Sequence, residues 1–175
     1  EEGVSLYRSA LENREALLGA RDLTVAKTVL NLCYAEIGRG QYEEAVSSLT
    51  RLLEDDRYQD RDELADARNL LGRCYQLQKK FDAALKTWQD YLAKHPAHKA
   101  WSSVQREIIN TEFHRAVEGR NAKQYEEARR LFSQFVAKYP LDGRNPQILY
   151  WYGEMYYQQE KWQEAIVQYR QAMQT

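Results

Sequence analysis

The 175-residue chain contains few prolines that would break helices, and its positive and negative charges nearly balance. Its three prolines are Pro96, Pro140 and Pro146, and none interrupts a strong apolar pattern, so long helices can form between them. No apolar stretch approaches the ~20 residues that a membrane-spanning helix needs. The net charge is −1, which predicts no broad attraction to nucleic acid or anionic lipid. We therefore expect no nucleic-acid partner and no direct insertion into a membrane.

The sequence also lacks a recognisable set of catalytic residues. Its only histidines are His95, His98 and His114, and the first two flank Pro96 with no cysteine or carboxylate at ligand spacing beside them. A surface turn is therefore favoured over a metal site. Nothing resembles a nucleophile elbow, a glycine-rich phosphate loop or a paired-carboxylate cleft. We expect no catalytic residue, no cofactor and no metal, and hence no enzymatic activity.

The two cysteines are too few for a disulfide framework. Cys33 and Cys74 both fall on predicted helices, at similar places in successive sequence units. Buried free thiols are the favoured interpretation. A disulfide between neighbouring helices is the alternative.

Apolar residues are abundant and follow a helical period on either side of a polar break at residues 78–80. Steps of three and four residues place them on one face of each helix. Because Gly72 and Ala84 are small, the two helices can approach closely, and we predict an antiparallel pair that Pro96 closes. The apolar residues are Leu71, Gly72 and Tyr75 before the break, and Phe81, Ala84, Trp88 and Tyr91 after it.

The same spacing recurs near the end of the chain, with Tyr152, Gly153 and Tyr156 before a break and Trp162, Ala165, Tyr169 and Ala172 after it. Weaker copies surround Ala45 and Ala128. The pattern resembles the tetratricopeptide repeat (TPR), a unit of about 34 residues with an apolar-Gly pair, a Tyr, an Ala, an aromatic residue and a late Pro. The resemblance implies an all-α, right-handed superhelical array of antiparallel helix pairs, with about nine helices.

We predict one TPR-like domain over residues 1–175. Residues 3–12 resemble residues 165–174, so the chain begins like the second helix of a preceding repeat. We expect a fragment of a longer protein, with a capping helix as the alternative. The charged residues 54–63 are predicted to form a solvated turn. The predicted parts are a tail helix at 1–20 and repeats at 22–57, 62–96, 99–140 and 145–175.

The resemblance implies that first helices line a concave groove that holds a peptide or a helix of a partner. An Asn could hold the backbone of the ligand, and Arg73 could hold a carboxylate. In the first repeat the matching places are Leu30 and Tyr34, or Thr28 and Leu32 after a two-residue shift, and neither pair can clamp a terminal carboxylate. The groove candidates are Asn69, Arg73 and Gln76 in the second repeat, Asn110 and His114 with Val117 in the third if its turn carries three extra residues, and Tyr150, Glu154 and Tyr157 in the fourth.

These features predict a non-catalytic protein–protein interaction scaffold whose partner is a protein or peptide. One alternative is an accessory repeat segment of a larger multidomain enzyme or receptor. Another is a glycan or peptidoglycan binder that uses exposed aromatic residues around Trp151. Self-association through the repeat ends is a further one.

Residues 136–157 are similar to the repeats of bacterial envelope proteins, namely the Tol-Pal-associated periplasmic protein and the outer-membrane assembly lipoprotein. This similarity implies a bacterial source. The predicted compartment is either the cytoplasm or the bacterial periplasm or cell envelope.

Overall fold

The computed structural model describes residues 2–18, 23–55 and 62–174, and every regular element in these ranges is an α-helix. The predicted all-α class is therefore confirmed. Residues 56–61, most of the charged stretch predicted to be a solvated turn, lie outside the described residues. No helix in the described ranges is long and apolar enough to cross a bilayer. The helices are α1 (Glu2–Leu18), α2 (Leu23–Gly38), α3 (Tyr42–Leu53), α4 (Asp62–Leu77), α5 (Phe81–Lys94), α6 (Trp101–Asn121), α7 (Tyr125–Lys138), α8 (Asn145–Gln158) and α9 (Trp162–Ala172).

After α1, the described helices form four hairpins, each with a first and a second helix. The hairpins are α2–α3, α4–α5, α6–α7 and α8–α9. The chain divides into two compact units, one ending at Thr111 and one beginning at Glu112, so the boundary falls within α6. The single-domain organisation of residues 1–175 stays a prediction.

All four hairpins close with the same three-residue turn. The middle residue of each turn has a positive φ, between 58° and 77°. The N–H of the third turn residue donates to the carbonyl oxygen five residues earlier, at 2.8–3.0 Å. These features define the Schellman motif, which satisfies carbonyl groups at the end of the first helix. The positive-φ residues are Gly40, Lys79, Lys123 and Glu160.

The common turn fixes the register of the first hairpin, which the sequence left open. Counted back from the first residue of the second helix, Cys33 takes the place of Gly72. The first-repeat positions that match the groove candidates Asn69 and Arg73 are therefore Leu30 and Tyr34. The alternative with a two-residue shift is wrong.

The turn of the third hairpin corrects another expectation. It contains no extra residues, because residues 119–121 form the last turn of α6 and only residues 122–124 connect α6 to α7. The extra length lies earlier, since α6 has 21 residues and α4 has 16. The predicted register of this hairpin is therefore wrong. The positions that match the second-repeat candidates are Phe113, Val117 and Arg120, instead of Asn110, His114 and Val117.

Gly72 and Gly153 let the paired helices approach closely, as the sequence predicts. A Cβ atom on Gly72 would lie 2.5 Å from Nε1 of Trp88 on α5, and a Cβ atom on Gly153 would lie 2.5 Å from Cδ1 of Tyr169 on α9. Both distances are shorter than van der Waals contact, so these backbones can approach the rings only where the side chain is a hydrogen atom.

Two apolar clusters form the core of the unit that ends at Thr111. One joins α2, α3 and α4 around the fully buried Leu49. The other joins α4, α5 and α6 around Trp88 and Tyr91. Each second helix of this unit is therefore packed between its own first helix and the first helix of the next repeat, which is the arrangement of a repeat solenoid.

Aromatic rings dominate the core of the unit that begins at Glu112. Phe113 on α6, Phe132 and Phe135 on α7 and Trp151 on α8 form four ring pairs with centroids 5.5–6.0 Å apart. Such tilted and edge-to-face pairs stabilise a core beyond their buried area. The guanidinium group of Arg144 lies 4.5 Å from the centroid of Phe113, which adds a cation–π contact.

Candidate functional site

The first helices of the unit that ends at Thr111 form a pocket of about 220 Å³. Tyr34 on α2, Arg73 on α4 and Glu107 on α6 place a phenol, a cation and a carboxylate around it. The helical periods that bury the apolar faces of α2, α4 and α6 leave these polar positions on the opposite side. The full lining is Tyr34, Asn69, Leu70, Arg73, Trp88, Ser103 and Glu107.

Asn69 serves the fold as well as the pocket. Its Oδ1 atom accepts a hydrogen bond from Nε1 of Trp88 at 3.1 Å, and its backbone carbonyl accepts from the same donor at 3.2 Å. The amide oxygen is therefore committed to holding the indole ring beside Gly72. The amide nitrogen is the group with which Asn69 can donate to a ligand.

Tyr34 and Arg73 are the most accessible groups of this pocket. The Tyr34 side chain is 58% exposed, and Arg73 is also exposed. Partial burial raises the pKa of Tyr34, the carboxylate of Asp66 raises it further, and Arg73 opposes both. The phenol therefore stays protonated at neutral pH and can donate a hydrogen bond.

Gln76 contributes to packing. Its Nε2 atom donates to Oγ1 of Thr111 at 2.8 Å, and Thr111 is fully buried. This hydrogen bond satisfies a buried hydroxyl group and ties α4 to α6. Of the three second-repeat candidates, Asn69 and Arg73 therefore line the pocket, and Gln76 holds two first helices together.

In the unit that begins at Glu112, Glu154 is the centre of a polar cluster. It accepts hydrogen bonds from the hydroxyl groups of Tyr150 at 3.2 Å and Tyr169 at 3.4 Å. It also forms an ion pair with Arg120 at 3.7 Å. The carboxylate thus joins α6, α8 and α9. The Glu154 charge is the main cause that raises the pKa of Tyr150.

A second pocket, of about 270 Å³, lies beside this cluster. Glu154 is the predicted candidate that lines it. Sequence reasoning missed Arg120 and Lys123, because the wrong register of the third hairpin placed them in a longer loop. The sequence contains a signal that would have found these two residues. Ala116 and Ala128 are separated by the same number of residues as Gly72 and Ala84, which indicates a turn of the same length. The lining is Arg120, Asn121, Lys123, Tyr125, Glu154, Met155 and Gln158.

The other predicted groove residues lie apart from these two pockets. Asn110 is half-buried and His114 is exposed, with the His114 ring 6.0 Å from Phe113. Tyr157 is about half exposed and packs edge to face on Trp162 at 5.1 Å. Tyr150 is similarly exposed, and its ring lies 5.7 Å from Tyr169.

Trp151 does not present the exposed ring that a sugar platform needs. It is half-buried, and its ring packs against Phe113 at 5.9 Å and Phe132 at 5.5 Å. The guanidinium group of Arg120 lies 4.7 Å from the Trp151 ring centroid. The structure therefore disfavours the glycan-binding alternative at this residue.

His98 differs from the expected surface turn, because its side chain is only 7% exposed. Its Nδ1 atom lies 2.6 Å from the hydroxyl group of Tyr91 and accepts from the backbone N–H of Ala100 at 3.3 Å. The second ring nitrogen lies 4.0 Å from Asp66. These contacts tie the connection between α5 and α6 to α4. In the described ranges, no group of three His, Cys, Asp or Glu residues could hold a metal ion.

Cys33 and Cys74 are buried and free, as predicted. Burial raises the pKa of both thiols to about 12, and the nearby carboxylate of Glu36 raises it further. Both side chains are therefore protonated at neutral pH and poor nucleophiles. They take part in the apolar cluster that joins α2, α3 and α4.

Comparison with known proteins agrees with the geometry of the hairpins. Profiles described as Tetratricopeptide repeat match residues 36–108 and residues 119–174, which together make up most of the chain. No curated protein matches the chain.

Solved structures match along nearly the whole chain. A kinesin light chain-like protein from Podosopora anserina, with nearly identical TPR-like repeats, is 19% identical, covers 98% of this chain and 86% of that one, and gives a TM-score of 0.53. A form of the same protein with one substitution is 17% identical, with coverage of 98% and 84% and a TM-score of 0.51. BtubC from P. vanneervenii is 16% identical, with coverage of 98% and 71% and a TM-score of 0.46. At these identities the two kinesin light chain structures show a shared fold of TPR-like repeats.

Proposed function

Because the chain belongs to the tetratricopeptide repeat family, whose members generally act as non-catalytic protein-interaction modules, we propose that it binds a partner protein on the face of its first helices. The bound segment is an extended peptide or a helix. The observation that carries the proposal is the 220 Å³ pocket that Tyr34 on α2, Arg73 on α4 and Glu107 on α6 line together.

The chemistry of this pocket defines the segment that fits it. Arg73 offers a planar cation with several donors, which suits a carboxylate of the partner. Glu107 on α6 suits a basic side chain or an N–H donor. Tyr34 supplies a largely exposed ring that can cover an apolar side chain. A segment with an apolar, an acidic and a basic residue in succession, facing Tyr34 on α2, Arg73 on α4 and Glu107 on α6, is therefore the expected ligand.

The face around Tyr150, Glu154 and Tyr157 supports the same function in the unit that begins at Glu112. Tyr150 and Tyr157 are each about half exposed, and aromatic residues of this kind are frequent anchors in protein interfaces. Glu154 is engaged by Tyr150, Tyr169 and Arg120. Its role is to hold these three side chains in place rather than to bind a ligand directly.

The broader context of the function rests on sequence similarity. The resemblance of residues 136–157 to repeats of bacterial envelope proteins supports a bacterial source, with the cytoplasm and the periplasm or cell envelope as equal alternatives for the compartment. A role as an accessory segment of a larger multidomain enzyme or receptor is compatible with the same binding face, because such a segment also positions a partner.

Selection of peptides followed by a matched pair of variants tests the proposal. A display library of peptides about four helical turns long is selected on the wild-type chain, and the enriched peptide is titrated by calorimetry. Replacing Tyr34→Ala and Arg73→Ala together should raise its Kd by about tenfold or more, since central aromatic and Arg residues carry much of an interface's free energy.

The control variant carries Tyr7→Ala and Arg39→Ala, which change the same residue types at exposed positions outside the pocket. It should bind the peptide with unchanged Kd. Both variants should keep the helicity and melting temperature of the wild type, because the altered side chains are exposed. Enrichment of no peptide, or equal binding by both variants, would reject this pocket as the binding site.

A further inference from the structure

The pocket of about 270 Å³ beside Glu154 collects polar side chains that the fold itself does not use. Asn121 ends α6, Lys123 is the middle residue of the turn, and Gln158 ends α8. These three side chains are exposed, and Tyr125 at the start of α7 is half-buried. Within the described part of the chain, no hydrogen bond or ion pair engages any of these four side chains. Free polar groups from three helices and a turn therefore converge on one small cavity.

The turn of the third hairpin does not itself require these polar groups. Counted from the residue at positive φ, Asn121 corresponds to Leu77 in the second hairpin and to Gly38 in the first. Tyr125 corresponds to Phe81 in the second hairpin. The same Schellman turn thus forms with an aliphatic residue, glycine or phenylalanine at these places. The polar side chains of the third hairpin are therefore available for a ligand.

The lining of the pocket carries an excess of positive charge. Glu154 is the one carboxylate among the lining residues, and it already pairs with Arg120 at 3.7 Å. It also accepts hydrogen bonds from the hydroxyl groups of Tyr150 and Tyr169. The ammonium group of Lys123 has no such partner in the described ranges. A ligand with a single negative charge would therefore balance the pocket.

The free groups are matched in their hydrogen-bonding chemistry. The ammonium group of Lys123, the amide nitrogens of Asn121 and Gln158 and the hydroxyl group of Tyr125 all donate. An ionised carboxylate only accepts, through both of its oxygens. Hydrogen bonds to a charged acceptor are stronger than those between neutral groups. A carboxylate can thus use the whole donor set, and its charge is neutralised by Lys123.

We propose that this pocket binds the carboxylate of an Asp or Glu side chain that a partner polypeptide presents. Lys123 forms the ion pair, and Asn121, Tyr125 and Gln158 donate the hydrogen bonds that orient the group. The inference rests on the proposed function, because it names the group that a partner presents to the unit beginning at Glu112. The carboxylate is preferred over a phosphate dianion, since Lys123 compensates only one negative charge.

A side chain of a polypeptide fits the pocket better than a free small molecule does. Asn121, Lys123 and Gln158 are exposed, so the pocket is open to solvent on the side where these residues lie. Sites for small molecules generally enclose most of the surface of their ligand. An open pocket can instead receive a side chain that remains attached to its own backbone.

Nuclear magnetic resonance of the full, isotope-labelled chain tests the proposal with defined probes. The probe is the end-capped peptide Ala-Ala-Glu-Ala-Ala, whose only charge is the Glu carboxylate. The control peptide has Gln in place of Glu, which keeps the shape and removes the charge. The side-chain amide signals of Asn121 and Gln158 should shift saturably with the first peptide and stay in place with the second.

Replacing Lys123→Gln should raise the Kd of the Glu peptide by about fivefold or more, because the ion pair is lost. Lys79→Gln is the matched control, since Lys79 has the same place in its turn, with a φ of 58° against 60° for Lys123, and lies outside the lining. It should leave the Kd unchanged. Gln158→Ala removes a donor without changing the charge and should also raise the Kd.

The other outcomes decide against the proposal. Equal Kd values for the Lys123→Gln and Lys79→Gln variants, equal shifts with the Glu and Gln peptides, or no shift with either would overturn it. Tighter binding of a phosphoserine peptide would assign the pocket to phosphate instead. Binding of free acetate without binding of the Glu peptide would assign it to small molecules. Either result would make the proposal wrong.

The proposed function and this inference fail separately. The Tyr34→Ala, Arg73→Ala variant should bind the Glu peptide with the Kd of the wild type, because neither residue lines the second pocket. Likewise, Lys123→Gln leaves the lining of the pocket between α2, α4 and α6 unchanged. Loss of one binding event with retention of the other therefore shows which of the two assignments is wrong.

Discussion

Two glycine residues set the distance between paired helices. The ring of Trp88 lies directly over Gly72, and the ring of Tyr169 lies over Gly153. In the first hairpin Cys33 takes this position and Leu49 takes the place of the ring. A larger residue on the first helix thus accompanies a smaller one on the second. The repeats keep the combined volume of the pair rather than the identity of either residue.

Gly72→Ala should destabilise the chain by about 1–3 kcal/mol, because the new methyl group would collide with the indole of Trp88 in a packed core. Gly38→Ala is the matched control, since a Cβ at Gly38 meets nothing within 4 Å. This control should leave stability unchanged or raise it by up to about 1 kcal/mol. Urea unfolding of both variants measures the difference. Equal stabilities would show that the helices separate without cost.

The buried thiols couple stability to alkaline pH. The pKa of Cys33 and of Cys74 is about 12 in the folded chain and about 8.5 when the chain is unfolded. A group whose pKa is higher in the folded state favours folding below its unfolded pKa, and this contribution is lost as the pH rises towards the folded value. The free energy of unfolding therefore begins to fall near the pKa of the thiols in the unfolded chain, which is about 8.5.

Raising the pH from about 7.5 to about 9.5 should lower the free energy of unfolding by about 1 kcal/mol per buried thiol, because only the unfolded chain ionises there. A Cys33→Ala, Cys74→Ala variant lacks both groups and should show a smaller fall, even if it is less stable at neutral pH. Urea unfolding at the two pH values gives both numbers. The same pH dependence in the variant and the wild type would contradict this account.

At the scale of elements, the four matching turns organise the hairpins. Each turn places its middle residue in the left-handed region, where glycine is favoured because it has no Cβ. Only the first turn has glycine there, at Gly40. The others have Lys79, Lys123 and Glu160. In the later turns a residue with a side chain adopts a positive φ, which is strained, and the packing of the hairpin offsets the cost of that strain.

Lys79→Gly should stabilise the chain by about 0.5–1 kcal/mol, because it relieves the strain of a side chain at positive φ. Lys80→Gly, one residue later and at a φ of −82°, is the control and should be neutral or destabilising, since glycine there only adds freedom to the unfolded chain. Thermal unfolding compares the two. A lower melting temperature for Lys79→Gly than for Lys80→Gly would contradict the prediction.

The turns also explain where sequence reasoning failed within elements. The tightly matched pattern of α4–α5 and α8–α9 predicted their register correctly. In the third repeat the sequence predicts three extra residues in the turn, whereas the extra residues lengthen the start of the repeat. Lys123 at positive φ carries no sequence signal of a turn, because lysine is common in helices. The connection length became visible only from the backbone.

At the scale of the whole molecule, the contacts that hold the repeats are between elements close in sequence. The apolar clusters around Leu49 and Trp88 belong to the unit that ends at Thr111, and the aromatic cluster around Phe132 belongs to the unit that begins at Glu112. In such an array, stability is approximately a sum of repeat and neighbour terms. A destabilising substitution should therefore affect its own repeat and the adjacent repeats and leave distant repeats unchanged.

Phe132→Ala should destabilise its own unit by about 3–5 kcal/mol, because a fully buried ring that contacts Phe113 and Trp151 is lost. Hydrogen exchange read by mass spectrometry should then speed up in peptides from α7 and α8 and stay unchanged in α2 and α3. Leu49→Ala is the reciprocal control and should give the opposite pattern. Faster exchange throughout the chain in both variants would show a single cooperative unit instead.

The sequence by itself determined the helical class, the pairing of helices, the burial of both thiols and the close approach at Gly72 and Gly153. These follow from apolar period and side-chain volume, which are local properties. The tertiary structure decided which polar residues meet. It brought Tyr34 and Glu107 to Asn69 and Arg73, took Gln76 into a buried hydrogen bond with Thr111, and enclosed Trp151 and His98. Such contacts depend on how successive hairpins stack, and a shift of a few residues in one connection changes every neighbour that a side chain can reach.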